Sequence, residues 1–185
     1  RTLEEVEKEV EKLIEDLRRV NREVAERIKK SNEDSKRVVE RVEDEIRRLI
    51  EELKDMVRKV SDKETVVRIV DEALERVEEL IRRVKKIVDD DLRRSKELID
   101  RVKEITDRML ETVKRLIDEV RAETRDERVD KRLRDVLRKV KKVAEESRKH
   151  LEELAERSKE VVERIRRRLE EVLKRVREEA EKIRK

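Results

Sequence analysis

The stretch that decides the fold is LEEVEKEVEKLIEDLRRVNREVAERI, residues 3–28. Its apolar side chains recur after three or four residues, at Leu3, Val6, Val10, Leu13, Leu17, Val20, Val24 and Ile28. This spacing places all of them on one face of an α-helix. Ile14 and Ala25 widen that face to about three apolar residues per heptad, which is typical of a bundle core rather than of a two-stranded coiled coil. The stretch therefore predicts a long amphipathic helix between two neighbours.

The composition of the whole chain excludes most kinds of functional site. Of its 185 residues, 58% are charged and 34% are hydrophobic, whereas Gly, Pro, Cys and aromatic residues are absent. Without Gly no phosphate-cradling loop forms, and without Cys there is no disulfide or thiol site. Without aromatic rings, bases cannot stack on the protein. We expect no cofactor, no nucleic-acid partner and no enzymatic activity.

The same high charge is also found in disordered chains, but the regular apolar spacing argues against disorder here. No apolar run is long enough to span a membrane or to form a secretory signal. No Pro-, Gly- or Ser-rich linker divides the chain. We therefore expect one soluble helical domain over residues 1–185, with no membrane partner, that is cytoplasmic on recombinant expression.

Two capping boxes predict the turns, at Ser61-Asp62-Lys63-Glu64 and Thr124-Arg125-Asp126-Glu127. In each, the Ser or Thr would accept a hydrogen bond from the third helical amide. They divide the chain into helices of about 2–60, 63–122 and 126–185. Equal helices joined by tight turns predict an all-α, up-down-up three-helix bundle. The apolar phase drifts along the third helix as expected for a period near 3.6, so we expect long, nearly straight helices.

An alternative divides the chain into six shorter helices. The segments 31–35, 89–91 and 146–150 resemble helix stops because they are polar and lack the usual apolar residues. However, the three-four spacing continues through each segment without the change of phase that a loop would cause. The spacing therefore favours three helices over six.

Several polar residues fall inside the apolar stripe. On the register of an up-down-up bundle, one layer of core polar residues contains Asn32, Ser35, Asp91, Ser95 and Ser158. A second layer contains Asn21, Ser147 and His150, and Thr106 lies near it. Buried polar groups are tolerated when each finds a partner, so these layers predict hydrogen-bond networks that fix the register. The alternative is that some of them lie at the edge of the stripe and contact water.

Catalytic and metal sites are poorly supported by these residues. Asp91, His150 and Ser158 include the residue types of a hydrolase triad, but His150 would lie about 13 Å from the Asp91 layer along the helix axis. One His and no Cys leave too few ligands for a transition-metal site. We expect no catalytic, metal or cofactor-binding residue.

The charges are unevenly distributed between the helix starts. Residues 128–142 are mainly basic, whereas residues 1–17 are mainly acidic. In an up-down-up bundle these two segments lie at the same level of parallel helices, so we expect them to pair. An alternative function is a helical interaction module that binds a partner helix, a membrane surface or a polyanion through the basic start of the third helix.

The long apolar stripes, the capping boxes, the polar layers and the absence of Gly, Pro and aromatic residues together resemble computationally designed helical bundles. The resemblance covers the whole chain, although such designs commonly use Gly in their loops. It implies an idealised, stable scaffold with core polar layers and no biological role. We expect a monomer without a protein partner.

Overall fold

The computed structural model describes residues 1–185, which form three α-helices and no strand. The helices are α1 (Leu3–Arg58), α2 (Lys63–Glu123) and α3 (Glu127–Arg184). None of them ends within residues 31–35, 89–91 or 146–150. The prediction of three long helices is therefore confirmed, and the six-helix alternative is wrong. Polar residues at these positions do not stop a helix whose apolar face continues on either side.

The first turn is capped by an aspartate rather than by the expected Ser61. The backbone N–H of Glu64 donates to Oδ1 of Asp62 at 3.4 Å, and the Thr65 hydroxyl donates to Oδ2 at 2.8 Å. These hydrogen bonds, that of Thr65 above all, lower the pKa of Asp62 below its ordinary value. A carboxylate is a stronger acceptor than a hydroxyl and interacts favourably with the positive end of the helix dipole. Asp62 therefore takes the capping position, and the prediction of Ser61 as the cap is wrong.

The second turn has the same chemistry. The backbone N–H of Arg128 donates to Oδ1 of Asp126 at 2.9 Å. The prediction of Thr124 as the cap is wrong for the same reason, because the aspartate lies directly before the first helical residue, Glu127. In both turns, then, one aspartate satisfies an amide that would otherwise lack a partner at the helix start.

The backbone needs no glycine. No residue of the chain has a positive φ angle, the region in which glycine is favoured, and no peptide bond is cis. This explains how the turns close although Gly and Pro are absent. None of the three helices contains an apolar stretch that could cross a membrane.

The chain divides into two compact units, each built from segments of all three helices. Residues 1–29 and 94–157 form the first unit. Its core is aliphatic and includes the fully buried side chains of Leu17, Ile28, Leu116, Ile117, Leu133 and Leu151. Burial of each large aliphatic side chain stabilises the fold by about 1.5–3 kcal/mol relative to exposure.

Residues 30–93 and 158–185 form the second unit. Its fully buried apolar side chains are Val39, Val70, Val77, Val88 and Leu169. Valine has a lower helix propensity than leucine because its branched side chain restricts χ1. Burial against neighbouring helices offsets this cost.

Candidate functional site

In the first unit, two polar side chains join α1 to α3 within the apolar stripe. Nδ2 of Asn21 donates to Oγ of Ser147 at 2.9 Å, and this hydroxyl donates to Oδ1 of Asn21 at 3.2 Å. Nδ2 also donates to the Leu17 carbonyl at 3.1 Å, one turn earlier. Ser147 is 6% exposed, so these bonds replace the water that its hydroxyl loses. The structure thus brings together two residues of the predicted second polar layer.

In the second unit, α1 contacts each of the other helices through a polar pair. Oγ of Ser35 donates to Oδ2 of Asp91 on α2 at 2.9 Å. Nδ2 of Asn32 donates to Oγ of Ser158 on α3 at 3.5 Å. The first distance is typical of a good hydrogen bond, and the second lies at the long limit. Ser35 and Ser158 are buried, whereas Asn32 and Asp91 are half-buried. These are four of the five residues of the predicted first layer.

Two further polar residues are buried without linking helices. Ser95, the fifth residue of the predicted first layer, is 3% exposed, and no hydrogen bond joins its hydroxyl to another helix. Thr106 is fully buried, and its hydroxyl donates to the carbonyl of Val102 at 2.8 Å, one turn earlier on α2. A Thr can satisfy its hydroxyl within its own helix in this way.

His150 lies at the surface, which differs from its predicted place in the second layer. The inward position is taken by the next residue, Leu151, which is fully buried. The imidazole lines an open groove of about 250 Å³ together with Arg18 and Arg22 of α1, beside Asn21. No group of three or more acidic or histidine side chains is arranged to hold a metal ion.

Glu43 on α1 is a buried charged residue that the sequence analysis missed. It is 8% exposed, and the other charged residues are all more exposed. Arg168 on α3 donates from Nη2 to Oε2 at 3.1 Å, and its Nε forms an ion pair with Oε1. One charge-assisted hydrogen bond and one ion pair therefore hold the carboxylate, and its Oε1 is buried without a hydrogen-bond donor. In the sequence, the position of Glu43 directly after the core residue Val42 could have indicated its burial, and Arg168 lies on the facing helix.

Ion pairs between α1 and α3 follow one register. In each pair the two residue numbers differ by 125, which a parallel arrangement of the two helices requires. The pairs are Glu7–Arg132 at 2.6 Å in the first unit, and Glu43–Arg168 and Lys54–Glu179 (3.6 Å) in the second.

Four ion pairs between α2 and α3 follow a second register, in which the two residue numbers add to 255, whereas Arg121–Asp130 beside the turn joins residues that add to 251. A constant sum requires antiparallel helices, so each unit has the up-down-up order. The pairs are Arg148–Asp107 at 2.6 Å in the first unit, and Arg166–Asp89, Arg177–Glu78 (3.4 Å) and Arg184–Asp71 in the second. Their side chains are largely exposed, so each contributes little stability, about 0–1 kcal/mol. Charges at such positions act chiefly on the choice of neighbour and register.

The basic start of α3 is partly neutralised by acidic neighbours. Three of its arginines form ion pairs, namely Arg132–Glu7 at 2.6 Å, Arg134–Asp130 at 3.3 Å and Arg138–Asp135 at 3.6 Å. The first of these joins α3 to the acidic start of α1, as the charge pattern predicts. The lysines of the segment are exposed, at Lys131, Lys139, Lys141 and Lys142.

The chain is similar to a solved structure described as a computationally designed three-helix bundle. The TM-score is 0.59 and the identity 21%, and the likeness covers 98% of this chain and 93% of the other. No protein-family model and no curated protein matches the chain. The resemblance to designed helical bundles that the sequence indicates is thus confirmed. At this identity the likeness concerns the fold.

Proposed function

We propose that the chain is a designed structural scaffold without a natural biochemical activity, in which the core polar layers act as fold-specifying hydrogen-bond networks. The observation that carries this proposal is that two polar pairs between α1 and α3 have the same register. Asn21 with Ser147 and Asn32 with Ser158 are both pairs separated by 126 residues. Each pair joins α1 to α3, so the polar contacts favour one alignment of the two helices.

The physical argument concerns what happens when one helix slips along another. Stripes of Val, Leu and Ile tolerate a shift of about seven residues, because apolar side chains again face apolar side chains. The two polar pairs are 11 residues apart on both α1 and α3, so a shift by seven leaves both unpaired. A buried polar group without a partner costs about 1–3 kcal/mol. This penalty supports a role for the polar pairs in specifying the fold.

On this proposal the chain is not an enzyme and needs no cofactor. It acts as a monomer without a nucleic-acid, membrane or protein partner. The aliphatic cores and the ion pairs between helices support this view, because these apolar and charged side chains contact other residues of the same chain.

The test replaces one polar residue of each contact in the second unit. We expect Asn32→Leu with Asp91→Leu to keep or raise the thermal unfolding midpoint measured by circular dichroism, because apolar side chains replace half-buried polar ones. The Ser35 and Ser158 hydroxyls, which lose these partners, can instead donate to carbonyls one turn earlier on their own helices, as Thr106 does. We also expect broadened or multiple signals in amide NMR spectra, because the register is less specified. The matched control, Lys36→Leu with Arg82→Leu, adds the same side chains at exposed positions and should leave the spectrum sharp. A large loss of helicity in the first variant would contradict the proposal.

The competing function is an interaction module that uses the basic start of α3. Ion pairs of Arg132, Arg134 and Arg138 reduce the charge available to a partner, so this function is less well supported. Titration with heparin or with anionic vesicles at physiological salt separates the two. Saturable binding would contradict the scaffold proposal, and absence of binding would eliminate the interaction module.

A further inference from the structure

The two sulfur atoms of the chain are those of Met56 and Met109. The chain has no Cys, Trp or Tyr, so no thiol or electron-rich ring competes with these thioethers for an oxidant. Both methionines belong to the apolar stripes of their helices, but the structure separates them by burial. One thioether contacts solvent, and the other lies in a core.

Met56 lies near the end of α1, in the second unit, and is 51% exposed. Leu53 and Val57 share the inward face of this helix end, because they are four residues apart, and both pack in the small core around Val70. Met56 directly precedes Val57, so its side chain is turned by about 100° from that of Val57. Its thioether is therefore open to small solutes.

Met109 lies on α2 in the main core of the first unit and is 4% exposed. Thr106 and Val113, one turn away on either side along the helix, are fully buried. The Thr106 hydroxyl already donates its only proton to the Val102 carbonyl at 2.8 Å. A sulfoxide oxygen on Met109 would therefore be a buried acceptor that this hydroxyl does not satisfy, which is unfavourable.

The oxidation of a thioether by a peroxide is a balanced two-electron step. A sulfur lone pair attacks one peroxide oxygen, and the S–O bond forms as the O–O bond breaks. The leaving oxygen takes the proton of the transferred oxygen, so hydrogen peroxide leaves as water. The sulfur is oxidised to the sulfoxide and the peroxide is reduced. Because the sulfur must meet the peroxide directly, burial protects it until the surrounding structure opens.

We propose that Met56 is a site of reversible oxidation by peroxides, and that Met109 is a second, protected site that reacts only when the first unit opens. The first reaction alters a side chain that already contacts water, so the fold is retained. The second places a polar group in a core, so it destabilises that unit. The chain thus responds to peroxide in two stages, which goes beyond the role of a scaffold.

The test treats the unmodified chain with excess hydrogen peroxide at neutral pH and follows its tryptic peptides by mass spectrometry. Trypsin places the two sites in different peptides, residues 55–58 and 109–114. We expect Met56 to gain one oxygen atom at least roughly tenfold faster than Met109, in line with their exposed fractions. In guanidinium, where burial is lost, the two rates should become similar. Similar rates in the folded chain, or a difference that persists in guanidinium, would overturn the proposal.

Two leucine variants separate the two stages, since leucine nearly conserves the volume of methionine. Met56→Leu should abolish the fast reaction and keep the slow one, and Met109→Leu should do the reverse. Oxidation of Met56 alone should leave the thermal unfolding midpoint unchanged. Oxidation of Met109, isolated in the Met56→Leu variant, should lower the midpoint by roughly 5 °C. An unchanged midpoint after oxidation of Met109 would contradict the proposal.

The requirement for opening is tested with Leu151→Ala, which creates a cavity in the same core as Met109. Because a destabilised unit opens more often, we expect the oxidation rate of Met109 to rise at least roughly tenfold and that of Met56 to stay unchanged. The matched control Ile105→Ala truncates an exposed side chain of the same unit and should leave both rates unchanged. If Met109 reacts no faster in Leu151→Ala than in this control, the proposal is wrong.

Discussion

The Asn21 amide and the Ser147 hydroxyl are each donor and acceptor toward the other, at 2.9 and 3.2 Å. Such a reciprocal pair depends on both members. If one is removed, the other remains within the apolar stripe with part of its hydrogen-bonding capacity unused, and this costs more than the loss of an average hydrogen bond.

Ser147→Ala should therefore lower the free energy of unfolding by about 1–3 kcal/mol, because the Asn21 amide loses its partner on α3. Asn21→Leu combined with Ser147→Ala should recover most of this loss, since both polar groups are then gone. Urea denaturation followed by circular dichroism measures both values. Ser31→Ala, at a half-exposed position of α1, is the control and should change little. A double variant less stable than Ser147→Ala alone would show that the pair is not the cause.

Removal of Arg168 and removal of Glu43 should have different effects on the free energy of unfolding. Arg168→Ala leaves the Glu43 carboxylate, 8% exposed, without its main partner, and we expect a loss of about 1–3 kcal/mol. Glu43→Leu removes the buried charge and frees an arginine that already contacts water, so we expect unchanged or greater stability.

Chemical denaturation of both variants provides the measurement. Arg164→Ala, an exposed arginine on the same helix, is the control for loss of a positive charge. Equal losses in Arg168→Ala and Arg164→Ala would mean that the buried contact contributes nothing specific.

The cap at Asp62 should make stability depend on acid. Its pKa is lowered in the folded chain, first by the hydrogen bond from Thr65, so the unfolded chain binds this proton more readily. The cap therefore stabilises the fold above the ordinary pKa of 3.8, and this contribution is lost as the pH falls through the lowered pKa. We expect the difference in unfolding midpoint between the parent chain and Asp62→Ala to shrink as the pH falls from about 6 to 2. A difference that stays constant over this range would contradict the assignment.

Truncation of a buried apolar side chain should lower stability more than truncation of an exposed one. Leu151 is fully buried, whereas Ile105 on α2 of the same unit is 41% exposed. We expect Leu151→Ala to lower the free energy of unfolding by about 2–5 kcal/mol, through lost burial and the cavity that remains. Ile105→Ala should cost below about 1 kcal/mol, because its side chain already contacts water. Similar losses in the two variants would contradict the burial that separates them.

The sequence predicts those features that depend on periodicity. The spacing of Val6, Val10 and Leu17 implies a helix face, and the same spacing carried through Asn32 excludes a break there. Asn21 and Ser147 could be placed near each other because both interrupt an apolar stripe, and the parallel alignment of α1 and α3 follows from helices of equal length.

Features that depend on competition between neighbouring groups could not be predicted in this way. Ser61 and Asp62 both suit a helix cap, and their relative strength as acceptors decides between them. His150 and Leu151 compete for one inward position, which a rotation of the helix by a single residue settles. The contact of Glu43 with Arg168 depends on the register of α1 against α3, which the position of Glu43 after Val42 does not show by itself.

The absence of positive φ angles has a consequence for how the chain tolerates change. In most folds some positions accept glycine alone, because a turn or close approach excludes any side chain. This chain has no residue in that conformation, so the backbone reserves no position for glycine. We infer that the tolerance of each position to substitution depends on the surroundings of its side chain and not on its backbone conformation. Saturation mutagenesis of all positions would measure this tolerance. Its intolerant sites would follow burial and polar pairing, and its loops would accept most residue types except at the two capping aspartates, Asp62 and Asp126.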